Sequence, residues 1–146
     1  MKRMHIHINV EESKFKSSVD FYQTLFSAPP AVTREGYAKF DLDDPAVNFV
    51  LEVLEIEGDT PGIHHVGIQV DKDDELSSIL SSLKQANAPL LEIGRTQCCF
   101  SDSNKNWTAD PQGIRWETFQ SFGQIDEYGA KTAEELRLYN ERVHTD

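Results

Sequence analysis

Cysteine is scarce in this chain: two occur among 146 residues, and they are neighbours, Cys98 and Cys99. No disulfide framework is available to brace the fold. Long apolar runs are also missing, and no stretch approaches the ~20 apolar residues that a membrane-spanning helix needs. The opening Met-Lys-Arg-Met-His is charged with no apolar run behind it, so a secretory leader is not expected. These absences lead us to expect a cytoplasmic protein with no membrane partner. Basic residues are in deficit, 14 Lys and Arg against 25 Asp and Glu, for a formal net charge of −11. Such a charge repels phosphate backbones and anionic lipid head groups, which argues against a nucleic-acid partner.

What is present suits one globular domain: 38% apolar and 27% charged residues, in a length that buries roughly two thirds of the unfolded chain's surface. The informative feature is a repeat. Placing His65 on His5 matches Val66 to Val70 with Ile6 to Val10 in apolar and polar order. Side chains alternate along a strand, so Ile6, Ile8 and Val10 oppose His5, His7 and Asn9, as Val66, Ile68 and Val70 oppose His65, Gly67 and Gln69. A helix follows each strand. The first has the stripe Phe15, Val19, Tyr22, Leu25 and Phe26, with Ser13 as cap and Pro29-Pro30 as stop. The second has Leu76, Ile79, Leu80 and Leu83, capped by Asp73 or Asp74 and ended near Asn87 and Pro89. Short strands are expected at 31–34, 37–42 and 47–54, then again at 90–93, 98–101 and 114–120, with Asp44-Pro45 and Asp110-Pro111 before the last strand of each set. The expected class is therefore α+β, with two βαβββ modules, 1–54 and 62–122. They make a single domain over 1–122, and residues 123–146 read as a polar tail with a short helix through Ala133, Leu136 and Tyr139.

His5, His65 and Glu117 sit on equivalent or adjoining strands, and two imidazoles plus one carboxylate form a set that holds Fe(II) or a similar divalent ion with positions left open. Taken singly, each has a plainer explanation as a hydrogen-bonded strand histidine or a solvated strand carboxylate. Their equivalent placement favours metal. His7 shares the face of His5 and is a supporting partner or an alternative ligand, while Glu52 is a candidate fourth ligand. His64 should point away from His65 in a regular strand. Cys98 and Cys99 are either small buried apolar residues or thiols for a soft electrophile or metal ion. A bridge between chain neighbours is disfavoured by geometry. Strand neighbours diverge, so a shared grip on one atom predicts an irregular or flexible segment over 94–99.

Paired modules with ligands on first and last strands resemble the vicinal oxygen chelate superfamily (glyoxalase, bleomycin resistance, dioxygenase), which implies a curved mixed sheet around a metal site with helices on the outer face. Within it, His5-Ile6-His7, Phe21-Tyr22, Tyr37-Ala38-Lys39-Phe40, His65-Val66-Gly67-Ile68, Cys98-Cys99-Phe100, Lys105-Asn106-Trp107 and Asp110-Pro111-Gln112-Gly113 with Trp116-Glu117 resemble the ArsI/CadI family of carbon-arsenic lyases and cadmium-induced proteins. The resemblance implies an Fe(II)-dependent homodimer that uses oxygen to cleave methylarsenite to arsenite. His5, His65 and Glu117 would hold iron, with Zn, Ni or Mn as other acceptable ions. Cys98 and Cys99 would hold the thiophilic substrate, a trivalent organoarsenical or a soft metal ion. Some relatives carry Gln where His5 stands. A cadmium-binding protein without turnover and a glyoxalase-like isomerase remain alternatives, the latter needing Glu52 as a fourth ligand.

Overall fold

The computed structural model describes residues 1–55 and 57–130, with backbone alone for 98–101 and 124–130. The elements run β1 (Arg3–Val10), a 3-10 turn (Glu12–Lys14), α1 (Phe15–Phe26), β2 (Val32–Arg34), β3 (Tyr37–Asp43), β4 (Ala46–Val53), β5 (Gly62–Val70), α2 (Asp73–Gln85), β6 (Leu90–Ala109) and β7 (Arg115–Ala130). The class is α+β, as expected. Pairing is mixed: β1 is parallel to β4, whereas β2–β3, β3–β4 and β6–β7 are antiparallel. Two compact units result, one from Arg3 to Val66 and the other from Gly67 onwards with Met1 and Lys2. Among the described residues, no helix is long and apolar enough to cross a membrane.

In the first unit the strand order is β2-β3-β4-β1, followed by the start of β5. Val10, Phe40, Val47, Phe49 and Leu51 form its core, and Phe15, Val19, Tyr22 and Phe26 of α1 pack on it from the helix stripe. Ser13 does not cap that helix. It lies in the 3-10 turn, and Lys14 precedes α1 without a side-chain cap bond. The helix ends at Ser27, whose left-handed backbone turns the chain toward the two prolines.

In the second unit the rest of β5, β7 and β6 lie in that order. Lys72, rather than Asp73 or Asp74, precedes α2, and its N–H donates to Glu75 Oε1 at 3.2 Å. The acidic residues occupy the first turn, where the helix dipole favours them. The separate strands expected at 90–93 and 98–101 are one strand, β6. Gly94, at φ +78, reads as a break but lies inside the strand. The polar run after it continues the strand because Ser103, Lys105 and Trp107 are buried. β7 extends to Ala130, into the stretch read as tail. The helix expected through Ala133, Leu136 and Tyr139 lies outside the described residues.

Candidate metal centre

Strand register assembles a polar face in the first unit. His5, His7 and Asn9 of β1 stand level with Asn48, Val50 and Glu52 of β4, and Val50 is level with Lys39 of β3. Partners in register share a face, so the face opposite the α1-covered core carries these side chains, and all of them are buried. One ring nitrogen from each of His5, His7 and His65 lies within 4.8 Å of the others. His5 Nε2 and His65 Nε2 are 3.2 Å apart, and the rings of His7 and His65 stack at 4.7 Å.

Burial, and secondarily the charge of His7, lowers the pKa of His5 to about 3, against a smaller opposing effect of its hydrogen bonds with Asn48. His5 is thus a neutral imidazole across physiological pH. Its Nδ1 is 3.1 Å from the Asn48 carbonyl. A carbonyl only accepts, so the proton belongs on Nδ1 and the lone pair on Nε2. Lys39 is also lowered, chiefly by burial.

The donor set fits a divalent cation. Two nitrogens each about 2.1 Å from one ion, at angles of about 90–109°, lie roughly 3.0–3.4 Å apart, which brackets the 3.2 Å found. Without a cation the same spacing accommodates one imidazole N–H donating to the other.

His5 and His65 lie side by side, and His7 joins them. Glu52 Oε1 lies 3.4 Å from His7 Nε2, so this carboxylate flanks the cluster through His7. Glu117 is buried on β7, level with Trp107 of β6 and in the second unit. Cys98 and Cys99 have backbones in β6 level with Ala130 and Gly129, while their side chains lie outside the described residues. The flexible loop expected over 94–99 is strand with a register shift between Cys99 and Ser101, because a bulge absorbs the irregularity without ending the pairing. His64 departs from its expected direction: its Nδ1 is 2.8 Å from His65 Nδ1. Nδ1 lies only two bonds from Cβ, so neighbouring rings can meet at the strand edge although their Cβ atoms diverge. His64 Nε2 is 3.2 Å from Asp59 Oδ2. Nothing in the sequence distinguished Asp59 from the other acids of its linker.

The family model described as the Glyoxalase/Bleomycin resistance protein/Dioxygenase superfamily matches residues 5–118, most of the chain. The chain belongs to this superfamily. Two relatives are similar over most of their length. One is the cadmium-induced protein CadI of Mycobacterium bovis, 32% identical over 131 residues, with 89% of this chain and 83% of that protein covered. The other is a trivalent organoarsenical cleaving enzyme of Bacillus sp. strain MD1, 35% identical over 130 residues, covering 87% and 78%. The superfamily fold is also seen in the Mn(II)-bound glyoxalase of Novosphingobium aromaticivorans, at TM-score 0.60 and 11% identity, covering 98% of this chain and 54% of that one.

Proposed function

We propose that this chain is an Fe(II)-dependent, oxygen-using carbon-arsenic lyase that demethylates trivalent organoarsenicals such as methylarsenite to arsenite. The observation that carries this reading is the 35% identity to a protein named a trivalent organoarsenical cleaving enzyme. The buried imidazole cluster and the adjacent thiols support it. His5, His65 and Glu117 are assigned to the metal, Glu117 on the strength of the sequence repeat; Zn, Ni and Mn are ions the same donors accept. Bound iron supplies Lewis acidity and oxygen activation. Cys98 and Cys99, as soft thiolates, hold arsenic and orient its methyl carbon. The neutral state of His5 leaves a lone pair rather than a proton facing the cluster. The reaction balances with one oxygen molecule: methylarsenite and O2 give arsenite and formaldehyde, the methyl carbon being oxidised and oxygen reduced. We place the protein in the cytoplasm, as a homodimer without nucleic-acid or membrane partners.

One observation favours a second reading, a cadmium-binding protein without turnover: the 32% identity to a protein named cadmium-induced. The two separate cleanly. Protein loaded with iron under anaerobic conditions, given methylarsenite and then air, is expected to release arsenite and formaldehyde in equal amounts, and Cys98→Ser is expected to abolish release. Full iron occupancy with no arsenite rejects the lyase. Tight cadmium binding that survives Glu117→Ala and is lost in Cys98→Ser then marks the sequestering protein.

A further inference from the structure

We propose that His7 is a third imidazole ligand of the cation, so that β1 and β5 supply three nitrogen donors within the first unit; this deepens the reading above and rests on His5 and His65 as ligands. His7 lies two residues from His5 on β1, and alternation puts both side chains on one face of that strand. β5 is a neighbouring strand, and its His65 ring sits against both of the others, with centroids 5.2 Å from His5 and 4.7 Å from His7. His5 and His7 are 6.2 Å apart by the same measure, so His65 is nearer to each than they are to each other. All three side chains are buried. All three also belong to the unit from Arg3 to Val66, so their mutual placement is a property of that unit.

The spacing suits one ion. Two nitrogens each about 2.1 Å from a cation stand no farther apart than about 4.2 Å. The ligand nitrogens of the three rings lie within 4.8 Å of one another, so at most about 0.6 Å remains to be closed, inside the play of a side-chain torsion within one staggered well. Three imidazoles on one divalent ion are a donor set that catalytic sites use. Imidazoles bring no negative charge, and an ion taken out of water needs a counter-charge nearby. Glu52 is buried in the same unit with its Oε1 3.4 Å from His7 Nε2, so a carboxylate stands beside the cluster on the His7 side. Adding His7 to the three residues assigned above makes four protein donors, which leaves a six-coordinate Fe(II) two open positions rather than three. A His7 that served only as the ion-pair partner of Glu52 would contribute to melting and leave the ligands of the cation unchanged.

Co(II) counts the ligands. An imidazole bound through one nitrogen keeps an N–H on the other, and beside Co(II) that proton appears in the 1H NMR spectrum far outside the ordinary range, present in H2O and lost in D2O. Thiolates carry no such proton, so Co(II) held by cysteine adds no signal. The full chain with one equivalent of Co(II) is expected to show three of these signals, a result that needs no variant to fold. His7→Phe keeps a flat ring against His65 but has no nitrogen. It is expected to show two signals and to bind Co(II) more than about 100-fold more weakly, since loss of a group that only supports a ligand costs about 10–100-fold. Two signals in the wild-type protein, three that survive His7→Phe, or unchanged Co(II) affinity in His7→Phe overturn the proposal. His65→Ala keeps the two levels apart: two wild-type signals, one of them lost in His65→Ala, reject His7 alone, whereas undiminished Co(II) binding by His65→Ala rejects the ligand reading and His7 with it.

Discussion

His5 refuses a proton that the unfolded chain accepts. Its folded pKa is about 3, against 6.5 for an ordinary histidine, because burial disfavours the charged ring. Above pH 6.5 neither state is protonated and the site costs nothing on this account. As pH falls from 6.5 toward 3, the unfolded chain gains a proton that the native ring does not, so the native state loses stability. Metal-free protein should therefore melt at progressively lower temperature between pH 7 and pH 4, and His5→Gln should flatten that dependence; parallel curves for the two proteins would contradict it. Gly67 shows a steric constraint at the same scale. A Cβ there would run into the backbone of Glu117, and backbone cannot swing aside as a side chain can. Gly67→Ala is expected to cost about 1–3 kcal/mol, read as a lowered denaturant midpoint.

At the scale of elements, α1 and the sheet beneath it separate burial from mere apolarity. Phe40 of β3 is fully buried and packs against Phe26 and Phe49, so Phe40→Ala should cost about 3–5 kcal/mol. Phe21 of α1 is 59% exposed, and Phe21→Ala should stay within about 0.5 kcal/mol. Urea unfolding of the two variants measures the difference, and equal losses would mean that α1 packs by a different face. Helix and strand positions followed the sequence closely in the first unit, where apolar spacing is regular and turns carry Gly or Pro. In the second unit Gly94 was misleading, since a glycine at positive φ can end a strand or bend one. The strand also runs past residue 101 through Ser103 and Lys105, polar side chains whose burial residue type alone does not announce.

Across the whole molecule, the proposed metal site would link binding to folding. A cation held at that site, to which both His5 and His65 are assigned, would bind the native chain in preference to the unfolded one. At a free metal concentration of about 100 times Kd this adds roughly 2.7 kcal/mol. Adding Co(II) should raise the melting temperature, chelation should reverse the rise, and His5→Ala should lose it. A shift that persists in His5→Ala would place the ion elsewhere, for which the net charge of −11 offers many weak sites.

The sequence by itself determined the repeat, the α+β class, and the placing of His5 and His65 on equivalent strands. Those follow from period and local propensity, which are properties of neighbouring residues. Only the tertiary structure decided which ring nitrogens meet: that His5 and His65, 60 residues apart, stand 3.2 Å from each other, that His7 joins them, and that His64 turns back toward His65 with Asp59 behind it. Those depend on strand register and side-chain rotation, which residue order does not record.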